Sequence, residues 1–311
     1  MQKLPRVSPG LYRRIALVTA VLLGVIIVTG GVVRLTGSGL GCPDWPNCDP
    51  GRLTPRSASD INAMVEFLNR VFTTLVSIAV GLAVVGSFLR TPRRRDLVWL
   101  SLGIVAGFVA QAILGGLVVI YKLQPQFVMA HFLLSLVLLG NGVVLYHRAG
   151  EPPGAPRRRV AASVWRAGTA MLVVVSVVAI TGTVVTASGP HGGDAKAKRF
   201  HFRIEQVAKV HGSTVVLFLV LVLLTFYLLH RTHASAADQR RLGLVLVVAS
   251  AQAAIGYFQY FNGIPALLVG FHIAGATTLF AVVCWFWLNL RTRVEAAEPA
   301  VPTPARALAR A

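Results

Sequence analysis

The sequence is poor in charge, and acidic residues are especially scarce. Only 13% of its 311 residues are charged, and 11 are aspartate or glutamate against 30 lysines and arginines. Hydrophobic residues make up 55% of the chain, which is more apolar surface than a soluble protein of this length buries. The composition therefore argues against an ordinary soluble protein and predicts an integral membrane protein.

Cysteine is scarce as well, with three residues in the chain. No Cys-x-x-Cys-His motif is present, which excludes a covalently attached c-type haem, and no His-Glu-x-x-His motif indicates a zinc protease. Cys284 stands inside an apolar run and is expected to be a small core residue. Cys42 and Cys48 fall in the first predicted outer loop, an oxidising environment in which a disulfide is favoured.

Eight apolar runs reach the length of about 20 residues that crosses a bilayer. Each is predicted to be a helix, because backbone groups exposed to lipid must be hydrogen-bonded within their own segment. The first run is too long for a cleaved signal peptide and lacks a cleavage site. The runs are 15–33, 65–88, 97–121, 127–146, 162–187, 207–229, 242–261 and 264–290.

The net charge of +19 is placed in a pattern that indicates membrane topology rather than nucleic-acid binding. Basic residues occur in the segment 1–14 and then in every second connection between the runs, which is the positive-inside pattern. Both termini are therefore predicted to be cytoplasmic, with the lipid bilayer as the partner and no nucleic acid. The tail 292–311 is rich in alanine, proline and glutamate and is predicted to be disordered.

One half of the chain resembles the other. Residues 110–115 return as 251–256, and His131 returns as His272 at the same spacing of 141 positions. Each histidine stands near the start of a long apolar helix. Two histidines at matched places predict a duplicated site for a metal or haem.

The repeat divides the chain into two halves of four helices. The end of the first run, 28–33, resembles the end of the fifth, 180–185. The predicted halves are 15–148 and 161–291, joined by a cytoplasmic linker at 149–160. Because four is an even number, the second half enters the membrane from the same side, so the repeat is parallel.

Matched histidines are the main candidates for haem ligands. His211 and His272 lie at similar depth in the second half, and histidine pairs on facing helices commonly hold haem iron in helical bundles. The alternative is a histidine that is only hydrogen-bonded across a helix interface. In the first half His131 corresponds to His272, but Asn69 stands where His211 would be matched. The first-half site would then have one strong axial ligand and one open or weak position.

Glu66 is a predicted intramembrane carboxylate, with Arg70 one helical turn further on. The pair either steadies the helix end or serves function, by holding a substrate or relaying a proton. The helix positions place these groups and the histidines roughly 5–12 Å below the outer surface.

The predicted outer loop at 188–203 is basic, against the topology rule. It contains Lys196, Lys198, Arg199 and Arg203. The loop is either simply solvated or binds the propionates of a haem through charged hydrogen bonds. His191 and His201 also lie here and are expected to be exposed rather than metal-bound.

Several of these segments together resemble the haem A synthase family (the Cox15/CtaA family), from about residue 15 to residue 290. The run 37–48, with its two cysteines, is the most specific. The other stretches are Glu66 with Asn69 and Arg70, the loop 188–191, and His131, His211 and His272.

The resemblance implies an all-α plasma-membrane protein of eight transmembrane helices, in two four-helix halves, with its catalytic groups near the outer face. Such proteins oxidise a methyl group of haem O to the formyl group of haem A by successive hydroxylation, for terminal oxidases. Haem O is the implied substrate; haem O synthase and an electron donor are candidate partners. The implied roles are haem b ligation for His211 and His272, catalysis for Glu66 and His131, substrate binding for His131, Asn69 and Arg70, and a disulfide for Cys42 and Cys48.

Three other functions fit parts of the pattern. A dihaem b-type cytochrome that only transfers electrons would prefer two complete histidine pairs. A membrane thiol–disulfide oxidoreductase using Cys42 and Cys48 would more often have a second cysteine pair for relay. A transporter with a parallel repeat would more often have helices broken near the midplane.

Overall fold

The computed structural model describes residues 6–294 and contains eight long helices with two short strands. All eight helices are long and apolar enough to span a membrane, which confirms the eight predicted segments. The helices are α1 (Pro9–Leu35), α2 (Ile61–Leu89), α3 (Arg95–Ile120), α4 (Pro125–Ala149), α5 (Ala162–Ser188), α6 (Ile204–Arg231), α7 (Ala236–Phe261) and α8 (Ala266–Asn289).

Helices α1 and α2 begin before their apolar runs, and a polar residue caps the first turn of each. The Ser8 hydroxyl accepts a hydrogen bond from the Leu11 N–H, and Pro9 occupies the first turn of α1, where no N–H donor is needed. Asp60 caps α2 in the same way through the N–H of Ala63. These caps place the start of α2 four residues before the apolar run at 65–88.

The helices pack in two groups of four. In the first group α1 contacts α2 and α4, and α3 contacts α4; in the second α5 contacts α6 and α8, and α7 contacts α8. Each group has its own core of buried apolar side chains. Helix α8 also packs against α1 and α4, and Cys284 on α8 is buried in the first core, as predicted for a core residue.

A small ribbon joins the segment between the halves to the end of α8. Strand β1 (Ala155–Arg158) pairs antiparallel with β2 (Arg291–Val294). The sequence predicts a cytoplasmic linker at 149–160, within which β1 lies, and a disordered tail at 292–311. Residues 292–294 instead form β2, while 295–311 lie outside the described residues. The side chains of β1 are all exposed, so no alternation of apolar and polar residues predicts this strand.

Two aspartates hold arginine pairs at the arginine-rich ends of the helices. Asp96, near the start of α3, accepts from Arg94 at 2.7 Å and from Arg148 at 2.6 Å. Asp238, near the start of α7, accepts from Arg159 at 2.5 Å and from Arg241 at 2.9 Å. The two clusters occupy similar places in the two halves, a similarity that the sequence analysis missed.

Candidate functional site

One cavity of about 1530 Å³ opens among the helices of both groups. It exceeds the roughly 300–1,000 Å³ that is usual for a pocket holding one small ligand. Its wall is mostly apolar, with a few polar side chains. Six of the predicted site residues line it: Glu66, Asn69, Arg70, His131, His211 and His272.

His211 on α6 and His272 on α8 form a pair, with ring centroids 6.4 Å apart. The hydroxyl of Thr181 lies 3.1 Å from Nδ1 of His211. The side chain of Gln252 donates to the backbone carbonyl of His272 at 2.6 Å. The pair is therefore supported from α5 on one side and from α7 on the other.

The residues of this pair fit a haem. An imidazole nitrogen binds a transition metal at about 2 Å, so two rings on either side of one ion have centroids roughly 6 Å apart. Nδ1 of His272 is buried with no hydrogen-bond partner, which is unusual for a buried polar atom. The two rings have the separation that a metal ion between them requires, and they face one mostly apolar cavity. This arrangement suits a flat, largely apolar ligand with a central metal.

Each of the three histidines packs against a glycine on the preceding helix. A Cβ atom at Gly256 would lie 2.8 Å from Cε1 of His272, one at Gly182 3.1 Å from His211, and one at Gly115 3.4 Å from His131. These close approaches leave little room for a side chain larger than glycine. The sequence analysis used Gly115 and Gly256 only as markers of the repeat.

His131 repeats most of the surroundings of His272. The side chain of Gln111 donates to the carbonyl of His131 at 3.1 Å, as Gln252 does to that of His272. Nδ1 of His131 is also buried without a partner. The first-half site therefore has one histidine in the same setting as in the second half.

Asn69, which the repeat matches to His211, lines the cavity in the first half. Its Oδ1 atom is buried without a hydrogen-bond partner. Gly30, which corresponds to Gly182, has no atom within 4 Å of where a Cβ would stand. The first half therefore has free space at Gly30 and the polar Oδ1 of Asn69, whereas the second half has the His211 ring packed against Gly182.

Glu66 is buried and is hydrogen-bonded to the loop between α1 and α2. One oxygen accepts from Arg70 at 2.6 Å, so the ion pair predicted from the spacing is present. The other oxygen accepts the backbone N–H of Cys42 at 2.9 Å. Glu205, which stands near the start of α6 in the second half, is instead exposed and pairs only with Arg203 at 3.7 Å, so the two halves differ here.

The loop between α1 and α2 carries a disulfide between Cys42 and Cys48, both completely buried. The guanidinium of Arg70 organises the loop by donating to four of its backbone carbonyls, with the closest contact of 2.8 Å to Asn47. Trp45 of this loop lies over Gly116 on α3 and lines the cavity. The sequence analysis did not assign a role to Trp45.

The basic loop at 188–203 lies partly at the cavity. Lys198 and Arg199 line it, together with Arg34 from the end of α1, which the sequence analysis missed. His201 is exposed, as predicted. His191 is half-buried instead, because Nε2 lies 2.8 Å from the carbonyl oxygen of Ile264.

A family model described as "COX15-CtaA: Cytochrome oxidase assembly protein" matches residues 13–191, more than half of the chain. The chain belongs to this family. The match covers the disulfide loop, the Glu66–Arg70 pair and His131, so the predicted COX15-CtaA resemblance is confirmed. With its eight apolar helices, this member of the family is a multi-pass membrane protein.

Relatives of the chain carry the name "Heme A synthase". The one from Listeria monocytogenes serovar 1/2a is 24% identical over 295 residues, which are 88% of this chain and 93% of the relative. The one from Bacillus mycoides is 29% identical over 132 residues, 42% of each chain. The one from Lysinibacillus sphaericus is 32% identical over 115 residues, 36% of each chain. The COX15-CtaA member described here is therefore similar to an oxidoreductase-type enzyme over both helix groups.

Proposed function

We propose that the protein is a haem A synthase, which oxidises a methyl group of haem O to the formyl group of haem A by successive hydroxylation. The proposal rests on one observation: a single cavity holds two histidine sites that differ in their number of histidines. The second half has two histidines, His211 and His272, and the first half has one, His131. A closed site for a resident cofactor beside an open site for a substrate is the arrangement that such an enzyme needs.

In the second half His211 and His272 would hold haem b through their ring nitrogens. Haem b supplies one-electron transfer when it is bound. Thr181 and Gln252 orient this pair, and Gly182 and Gly256 allow the rings to approach the neighbouring helices.

In the first half His131 would bind the iron of the substrate haem O, oriented by Gln111. Asn69 leaves the second position without a strong ligand, so the substrate would be bound for reaction rather than for electron transfer alone. Glu66 is the one carboxylate among the residues lining the first-half part of the cavity, and its role is to hold the substrate or to move a proton near it. Arg70 holds Glu66 in place and contributes to substrate binding.

We further propose that the eight helices form a parallel repeat, with both termini cytoplasmic and the cavity toward the outer face of the plasma membrane. The arginine clusters at Asp96 and Asp238 support this, because they gather at the helix ends opposite the disulfide loop. Haem O synthase and an electron donor are the proposed partners.

The single-histidine first half speaks against an electron-transfer dihaem cytochrome. The buried position of Cys284, away from Cys42 and Cys48, speaks against a thiol relay.

The proposal is tested by expressing the protein in cells that make haem O but no haem A. Haems are extracted and identified by mass. Haem A or hydroxylated haem O is expected with the wild type and not with His131→Ala. Haem b alone, at two per chain, would instead identify an electron-transfer cytochrome.

A further inference from the structure

Two arginines from different halves meet at the cavity. Arg34 stands in the last turn of α1, and Arg199 in the loop between α5 and α6. Both line the cavity. They pack against adjacent glycines of one loop: a Cβ at Gly193 would lie 3.7 Å from Cγ of Arg34, and one at Gly192 would fall within the guanidinium of Arg199.

Neither guanidinium has an acidic partner. No ion pair in residues 6–294 includes Arg34 or Arg199. Arg34 donates to the carbonyl of Thr186 at 2.8 Å and Arg199 to that of Pro190 at 2.5 Å. Nε of Arg34 is buried with no hydrogen-bond partner. Donors therefore remain on two cations held in place by backbone contacts.

Other residues that line the cavity add to its excess of positive charge. Lys198 and Lys209 also line the cavity. The acids that line it are both engaged, Glu66 by Arg70 and Glu205 by Arg203. Burial lowers the pKa of the Arg199 guanidinium, which shows that its charge is partly desolvated. Like charges gathered in a partly desolvated cavity are unfavourable unless an anion binds there.

The arrangement is shared between the halves rather than duplicated. Arg34 follows Thr29 at the same distance as Thr186 follows the corresponding Thr181. The second half thus has threonine where the first half has arginine, and Arg34 donates to that threonine's carbonyl. A single arginine reaches across the junction of the two halves.

We propose that Arg34 and Arg199 form a carboxylate-binding site at the junction of the two halves, which takes the propionate groups of haem. The inference rests on the proposed function, which places haem in this cavity. A guanidinium matches a carboxylate with two parallel hydrogen bonds. The site extends the basic loop at 188–203 with a residue of the first half, and Arg34 is its central donor.

The test compares haem b with its dimethyl ester, in which both propionates are neutral. The two compounds are titrated into membranes that contain the full chain made without haem, and the ratio of their dissociation constants is measured. The wild type is expected to bind the ester at least about tenfold more weakly, the factor that loss of a charged hydrogen bond represents. In Arg34→Gln and in Arg199→Gln this ratio falls toward one, because only binding of the free acid is weakened.

Lys196→Gln is the matched control, because Lys196 is an exposed cation of the same loop that does not line the cavity; it keeps the wild-type ratio. Arg34→Lys restores part of the ratio. Two results would overturn the inference and leave the proposed function standing. One is an unchanged ratio in both glutamine variants. The other is equal binding of acid and ester by the wild type, as expected for a site that binds lipid phosphate. A wild type that binds neither compound would overturn both.

Discussion

At the scale of single residues, the site is a repeated unit of histidine, glutamine and glycine. His131 and His272 each receive a hydrogen bond on their carbonyl from a glutamine and contact a glycine on the preceding helix. The glycines matter because a ring can be held close to a neighbouring helix only where no Cβ intervenes. The histidine positions are therefore set by residues that touch no ligand themselves.

Gly256→Ala is expected to displace the His272 ring, because the new Cβ would stand 2.8 Å from Cε1. Alanine favours the helix over glycine by about 1 kcal/mol, so loss of folding is not expected. The measurement is the optical and electron-spin spectrum of the bound haem b, which should change. Gly30→Ala is the control. Gly30 lines the same cavity, and no atom lies within 4 Å of where its Cβ would stand, so this substitution should leave the spectrum unchanged. A Gly256→Ala spectrum identical to the wild type would contradict this account of the glycines.

Asn69→His tests the open position of the first-half site. The buried Oδ1 atom without a partner and the space at Gly30 leave room for an imidazole. Haem in the first half is expected to become six-coordinate, with a low-spin spectrum, and haem A formation should fall about tenfold or more. The spectrum is recorded in a His272→Ala background, so that the second-half haem does not contribute. No change in either spectrum or turnover would show that Asn69 does not stand at an axial position.

At the scale of structural elements, the disulfide loop between α1 and α2 forms one unit with helix α2. Arg70 donates to carbonyls of the loop while it holds Glu66, and Glu66 accepts from the N–H of Cys42. The loop in turn places Trp45 at the cavity. The carboxylate proposed to act on the substrate therefore depends on the disulfide loop for its position.

Arg70→Gln is expected to loosen this loop, because several hydrogen bonds from a charged donor are lost, each contributing about 1.5 kcal/mol or more. Cys42 and Cys48 are completely buried, so reduction of their disulfide requires the loop to open. The rate of reduction by a water-soluble thiol should rise about tenfold or more. Arg56→Gln is the control, because Arg56 is 70% exposed and pairs only with Asp49 in the same loop. Equal reduction rates in the two variants would refute the organising role of Arg70.

At the scale of the whole molecule, the sequence predicted much of the architecture because a bilayer restricts the possible structures. Eight apolar runs of sufficient length have to be helices, and eight are present. The matched spacing of His131 and His272 predicted which residues gather, since equivalent helices place equivalent residues at equal depth. Three cavity residues were predicted on other grounds: Glu66 as an intramembrane carboxylate, Arg70 from its place one helical turn after Glu66, and Asn69 from its match to His211 in the repeat.

Features that arise from contacts between distant segments were not predicted. Trp45 reaches the cavity because its loop folds against Gly116 on α3, and Arg34 at the end of α1 is held there by the carbonyl of Thr186 on α5. The ribbon of β1 and β2 has no pattern of its own and forms because the helices bring its two segments together. The pairing of arginines on Asp96 and Asp238 likewise depends on packing between helices. Sequence periodicity carries no information on such contacts.

The proposed topology predicts which loops face the outside of the cell. Ser59 in the first outer loop and Thr232 between α6 and α7 are both exposed. In the chain the cysteines are either disulfide-bonded or buried, so a single introduced cysteine dominates labelling. An impermeant maleimide added to intact cells is expected to label Ser59→Cys but not Thr232→Cys. The reverse pattern would place the disulfide loop and the cavity at the cytoplasmic face.

The two halves are proposed to hold different haems, and the haem content of the purified protein and two variants distinguishes the halves. The wild type, His272→Ala and His131→Ala are made in cells that produce haem O, and the haems of each are extracted and identified by mass. The wild type should contain haem b together with haem O or its oxidised products. His272→Ala should lose haem b and keep the first-half haem, while His131→Ala should keep haem b and lose the others. Loss of haem b in His131→Ala, with haem b retained in His272→Ala, would contradict the assignment of the two halves.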